Sequence, residues 1–195
     1  MQQIVPFRTN EPDVWRSSDG LRDLVRFTQL TNFNMAELGS YSGDSTEVFL
    51  EFPIQRLYVV DSWLPQEDID TYNPRMAEVI FDRRLAWWRT HSSCDIVKLK
   101  MDTSDAVHHI PDNSLDLIYL DTEHTYECVM QTVQLWTCKL KDDGFFAGHD
   151  YSQGWAGVML AVDQLASQFG PFETFQDTSW AFQIHKAIDT VIICL

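Results

Sequence analysis

Two hydrophobic rhythms alternate along the chain. Short runs rich in β-branched and aromatic residues end on a polar or glycine position: "NMAELG" (34–39), "RLYVVD" (56–61), "DIVKLK" (95–100), "LDLIYLD" (115–121) and "FFAGHD" (145–150). Between them apolar residues recur at helical spacing. Val14, Leu21, Leu24, Val25, Phe27 and Leu30 mark a helix over 12–30, and "GDSTEVFLEF" a second, opened by Asp44 and Ser45. Met76, Val79, Ile80, Leu85 and Trp88 mark a third over 74–90. "TSDAVHHI" predicts a short helix, and longer ones are expected over 125–140 and 157–169. Residues 62–73 are acidic and loop-like, while "PDNS" and "KDDG" read as turns. The end, "FETFQDT" then "SWAFQIHK", predicts a hairpin, with "DTVIICL" as a last strand or docked tail.

Strands alternating with helices of this length predict an α/β fold. We expect a single Rossmann-like, doubly wound domain over 1–195. Its seven-stranded sheet is mostly parallel, with an antiparallel C-terminal hairpin and helices on both faces. Residues 1–33 form an N-terminal helical segment, and 62–93 a helical insertion that shapes a pocket. In such sheets ligands lie beyond the carboxyl ends of the strands. Gly39, Asp61, Met101–Thr103, Asp121 and His149–Asp150 all fall at those ends, which makes a site there the main expectation.

The chain has 195 residues, 45% of them apolar, with 12 Phe and 7 Trp, enough for one globular core. Acids outnumber Lys and Arg 29 to 14, for a net charge of −15. Such a surface repels phosphate backbones and anionic lipid, so neither nucleic acid nor membrane is an expected partner. It would attract a divalent cation or a cationic small molecule. Cys94, Cys128, Cys138 and Cys194 form no C-x-x-C pair and are read as reduced, mostly buried thiols. Neither a signal peptide nor a membrane-spanning run is legible, so a cytoplasmic protein is expected.

"AELGSYSGDS" places Gly39 and Gly43 in a strand-to-helix turn with G-x-x-x-G spacing. That is neither the G-x-G-x-x-G of dinucleotide sites nor a P-loop. Glu37, just before the loop, would repel a pyrophosphate but suits an ammonium, and Asp61 can accept from two ribose hydroxyls. Amine, ribose and a chain hugging the backbone of Gly39, Ser40, Tyr41 and Gly43 describe S-adenosylmethionine. The loop "ELGSYSGDS" resembles that of catechol O-methyltransferase-like class I methyltransferases. "IYLDTEHTYE" and "FFAGHDY" resemble a broader set of small-molecule O-methyltransferases, including macrolide sugar enzymes. The resemblance runs from about residue 35 to 183. It implies that Glu37, Gly39, Tyr41 and Ser45 hold the methionine part of the cofactor. It also implies that Asp61 holds the ribose and that Asp102, Thr103 and Ser104 edge the adenine.

Methylating a hydroxyl requires removing its proton, and a divalent cation on oxygen ligands assists by lowering its pKa. Asp121 and Asp150 end neighbouring strands and can converge on one ion, with His149 as a third ligand; Asp121 would serve cofactor and metal together. In the related family the position of His149 is normally an acid. An imidazole there shifts the expected ion from Mg²⁺ toward softer transition ions. His124 stands where the relatives place a lysine or histidine that takes the substrate proton, a task suited to imidazole. His108 and His109 are read as a surface pair, Trp87 and Trp88 as core or interface, and Trp63, Tyr72 and Trp155 as residues beside the cleft. The expectation is thus an O-methyltransferase of a small hydroxylated molecule, with homo-oligomerisation open. A nicotinamide-dependent oxidoreductase and a non-catalytic homologue are the alternatives.

Overall fold

The structure, a computed structural model, describes residues 18–65 and 73–186. Its sheet has seven strands: β1 (Phe33–Leu38), β2 (Ile54–Asp61), β3 (Asp95–Lys100), β4 (Leu115–Leu120), β5 (Leu140–Gly148), β6 (Glu173–Thr174) and β7 (Trp180–Ile184). They lie in the order β3-β2-β1-β4-β5-β7-β6. The first five are parallel, and β7 runs antiparallel to both β5 and β6. The expected seven-stranded sheet with its antiparallel C-terminal hairpin is therefore present. Strands are added outward from β1 in one direction through β2 to β3 and in the other from β4 to β5. The strand order therefore switches between β1 and β4, the place where such sheets bind ligands at the carboxyl ends of their strands.

Helices cover both faces. On one side lie α1 (Ser18–Thr28), α2 (Asp44–Phe49) and α3 (Pro74–His91). Leu24, Phe49, Phe81 and Trp88 from these helices pack on Met35, Leu57 and Leu117. On the other lie α4 (Thr103–Ala106), α5 (Tyr126–Trp136) and α6 (Ala156–Phe169). There Ala106, Val133 and Val162 meet Ala36, Val60 and Ile118. Successive residues of β1 feed opposite cores, the period-2 alternation of a sheet buried on both faces. Helix starts follow their caps: Asn73 accepts from Met76 N ahead of Pro74, and Thr125 from Cys128 N.

Several boundaries differ from expectation. "KDDG" is not a turn before a strand but a bulge inside one. Leu140 pairs with Leu115 and Phe145 with Leu117, so the register on β4 shifts across 141–144, with Asp143 at φ 60° and Gly144 already paired with Ile184 of β7. The helix expected to run to Leu140 breaks into a 3₁₀ turn at Thr137–Lys139, where Thr137 Oγ1 donates to Val133 O at 2.6 Å. Helix α2 stops at Phe49, ahead of Pro53.

His108 and His109 are exposed, Trp88 is buried and Trp87 half-buried. Cys94, Cys128 and Cys138 carry free thiols, and burial pushes that of Cys94 up to about 12. No helix among the described residues is long and apolar enough to cross a membrane. Residues 12–17 of the expected amino-terminal helix, with Val14, residues 66–72, with Tyr72, and the tail "DTVIICL", with Cys194, lie outside the described residues.

Candidate active site

The hydrogen-bond ladder continues past the assigned strands and draws their ends into one row. Met101 N donates to Asp61 O (3.1 Å), Gly39 N to Val60 O (2.8 Å), Asp121 N to Leu38 O (2.7 Å) and His149 N to Leu120 O (3.0 Å). The five polar strand ends legible in the sequence therefore share a single edge of the sheet. Three non-glycine residues at this edge, Tyr41, Trp63 and Asp150, have positive φ of 48°, 49° and 66°. Left-handed backbone costs energy and concentrates where a site needs a particular shape.

The glycine loop occupies the crevice between β1 and β4. At Gly39 φ is +87°, and a Cβ would fall 1.8 Å from Asp121 O. Only glycine lets the loop lie that close to the end of β4. Gly39→Ala is accordingly expected to destabilise the fold by more than about 2 kcal/mol in denaturant unfolding, from strain and overlap together. Asp61 then fixes the loop. Its Oδ2 accepts from Ser40 N (3.0 Å) and Tyr41 N (2.8 Å), and its Oδ1 from Trp63 N (2.6 Å). The Trp63 indole closes the circle by donating to Tyr41 O at 2.8 Å. Trp63 is thus buried and braces the loop. The Tyr41 side chain is exposed at the mouth.

Glu37 is fully buried, and its carboxylate accepts from Thr46 Oγ1 (2.5 Å) and from Ser45 Oγ. Glu37 and Ser45 therefore bind each other beneath the loop. At the end of β3, Asp102 caps α4 by accepting from Ser104 N (2.9 Å) and Ser104 Oγ (2.8 Å). Thr103 O accepts the indole N–H of Trp136 (3.1 Å). These contacts hold the 102–104 segment in place beside the end of β2.

On the other side of Gly39 a polar cleft is lined by Asp121, Thr122, Glu123, His124, His149 and Asp150. One ligand-capable atom from each of Asp121, His124 and Asp150 lies within 4.8 Å of the others. His124 Nε2 is 2.9 Å from Asp150 Oδ2, and its ring stacks on Trp155 with centroids 3.8 Å apart. His149 Nδ1 lies 2.9 Å from the other oxygen, Asp150 Oδ1. The imidazole grouped with the two aspartates is thus that of His124, while His149, expected as the third ligand, lies against Asp150 outside that group. Burial pushes the Asp150 carboxyl up, but hydrogen bonds from His124 and His149 outweigh it and hold the group well below the usual carboxylate range. Two acids and an imidazole are a donor set that fits a divalent transition ion.

The sequence reading missed Arg84 and its pairing with Asp44. Arg84 is buried, with Nη1 2.5 Å from Asp44 Oδ1 and 3.3 Å from Ser42 O. A signal was available, because Phe81, Arg84, Leu85 and Trp88 share one helical face and an arginine on an apolar face demands a partner. The stacking of Trp155 on His124 left no such trace.

A family model described as a methyltransferase domain matches residues 36–151, which run from β1 to the residue after Asp150. Many solved structures share the fold, three of them as follows. The O-methyltransferase NovP is 17% identical, with TM-score 0.63, covering 86% of this chain and 79% of its own. A putative S-adenosylmethionine-dependent methyltransferase from Methanococcus maripaludis is 14% identical, with TM-score 0.59, covering 85% and 83%. CalS11, a TDP-rhamnose 3′-O-methyltransferase of calicheamicin biosynthesis, is 13% identical, with TM-score 0.58, covering 85% and 78%. No curated protein matches the chain in sequence. The family model spans more than half of the chain and every residue of the strand-end row; the chain belongs to the methyltransferase-domain family of S-adenosylmethionine-dependent enzymes.

Proposed function

We propose that the chain transfers a methyl group from S-adenosylmethionine to a hydroxyl of a small molecule. The observation that carries this reading is the convergence of Asp121, His124 and Asp150 immediately beside the glycine loop. The loop and Asp61 would hold the methionine and ribose parts, with Asp102 and Thr103 along the adenine. The acceptor would then lie over the cleft beyond β4 and β5. In the reaction the acceptor loses its O–H proton and its oxygen bonds to the methyl carbon. The S–CH₃ bond breaks, and its electron pair stays on sulfur as S-adenosylhomocysteine leaves. A negatively charged surround favours the sulfonium donor, and holding donor and acceptor in line supplies much of the acceleration. The strongly acidic chain also supports a small-molecule acceptor over nucleic acid.

Asp121, His124 and Asp150 would hold a divalent cation. Such an ion lowers the pKa of a bound hydroxyl and fixes its position. The His124–Asp150 contact favours a second reading, in which Asp150 orients His124 as the proton acceptor without metal. One assay separates the two. Methyl transfer from labelled cofactor to a panel of catechols and sugars is measured with Mn²⁺ and with excess chelator. The metal reading expects loss of transfer in chelator and its return on adding Mn²⁺. Undiminished transfer in chelator assigns the proton to His124 alone. Binding of S-adenosylmethionine with no transfer to any hydroxyl, alongside transfer to amines, would remove the O-methylation reading.

A further inference from the structure

The charged side chains buried among the described residues are Glu37, Asp61 and Arg84, and all three are bound to the glycine loop or the first turn of α2. Burying a charge is costly, so its repeated use around one loop needs a reason beyond packing. Glu37 and Asp61 already have tasks in the reading above, but Arg84 does not. We propose that Arg84 is a positioning residue for the methionine half of the cofactor, setting the shape of the Ser42–Asp44 turn from its underside. This rests on the glycine loop being the methionine subsite.

The geometry is a closed ring. Arg84 Nη1 donates to Ser42 O (3.3 Å) and to Asp44 Oδ1 (2.5 Å), and Ser42 Oγ donates back to Asp44 Oδ2 (2.7 Å). Gly43 lies at its centre with φ +90°, and a Cβ there would come 2.7 Å from the Trp88 ring and 3.0 Å from Phe81. Phe81, Arg84 and Trp88 all meet the turn from one face of α3, so that helix is its template. The loop is therefore polarised. Its N–H groups at Ser40 and Tyr41 point to the Asp61 carboxylate, and its carbonyl at Ser42 points to the Arg84 guanidinium. An anion at its N–H groups and a cation at its carbonyl hold the loop in one conformation before any ligand arrives, which is how preorganisation raises affinity.

Stability alone does not account for Arg84. Its Nε finds no hydrogen-bond partner within the protein, although the residue is only 4% exposed. A methionine of similar length would fill the same space without that desolvation. Asp44, about half exposed, would be left in water rather than stranded in the core. The fold should tolerate the exchange; the turn should not keep its shape.

The test uses S-adenosylhomocysteine and 5′-methylthioadenosine, which share the adenosine part, while only the first carries the full amino-acid part. Calorimetric titration of Arg84→Met is expected to show about tenfold or greater weakening for S-adenosylhomocysteine, the scale of removing one charge-assisted hydrogen bond. Affinity for 5′-methylthioadenosine should stay within about twofold, and Arg84→Lys should recover part of the loss. In turnover, KM for the donor rises while kcat holds. Asp44→Asn, a change at a half-exposed position, should repeat the selective loss and covers the case in which Arg84→Met does not fold. Equal weakening of both ligands, or of neither, overturns the proposal. Failure of the unmodified protein to bind S-adenosylhomocysteine at all would instead sink the methyltransferase reading on which it depends.

Discussion

Asp150→Asn is expected to lower methyl transfer by on the order of 10²–10⁴-fold, the usual contribution of a proton-transfer group or its orienting partner. Asparagine is the informative replacement because Asp150 sits at φ 66°, a conformation that asparagine tolerates and alanine does not. Backbone, size and one hydrogen-bond acceptor are retained, while the charge and the second acceptor go. Both readings of the cleft need that charge. A cation would lose one of its two carboxylates, and a histidine base would lose the anion that turns its Nε2 (2.9 Å from Asp150 Oδ2) and steadies the imidazolium. The comparison variant is His149→Gln, since His149 stands outside the converging trio. It should retain far more activity than Asp150→Asn. Equal losses for the two would return His149 to the reacting centre.

The same carboxylate ties stability to pH. A carboxyl group held below its ordinary value of 3.8 in the folded state stabilises the fold fully above that value. The contribution fades as pH falls below 3.8 towards the depressed folded-state value. Wild type should therefore lose its advantage over Asp150→Asn in urea unfolding as the buffer is acidified through that range. A gap that widens in acid would mean that the contacts with His124 and His149 do not set the charge state of Asp150.

Much of this was legible because both relevant periods were clean. The runs ending at Gly39, Asp61, Lys100, Asp121 and Asp150 each appear as strands, and parallel pairing alone puts their ends in one row. Local backbone geometry was less legible. Neighbouring residues at a strand end point to opposite sides, so His149 and Asp150 could not both be assumed to face one ion. The left-handed turn at Asp150 directs its carboxylate to His124, on a loop whose path no periodicity describes. The role of Trp63 was not legible for a similar reason, since a backbone at φ 49° carries its indole N–H to Tyr41 O. "KDDG" carries strong turn chemistry yet lies within β5, because strand pairing on both sides of it outweighs the local preference. Arg84 is the reverse case, placed on the buried face by its spacing but with a partner, Asp44, that lies 40 residues away in sequence.

Asp61→Asn should be nearly as damaging as Asp61→Ala, and that near-equality tests how the glycine loop is held. Both carboxylate oxygens accept: Oδ2 from two loop N–H groups and Oδ1 from Trp63 N. An amide has one acceptor oxygen, so whichever way it turns, its NH₂ must face an N–H donor. Hydrogen bonds to a charged group are worth about 1.5–3 kcal/mol each, and water reaches a 9%-exposed position poorly. Either variant is expected to lose about 2–4 kcal/mol of stability in denaturant unfolding. Cofactor affinity should fall at least about a hundredfold, because loop geometry and the proposed ribose contact fail together. Losses confined to affinity, with stability unchanged, would mean that the loop holds its shape without Asp61 and that the residue serves the ribose alone. If Asp61→Asn instead matched wild type in both measurements, the Ser40 and Tyr41 amides would have to be held by something other than this carboxylate.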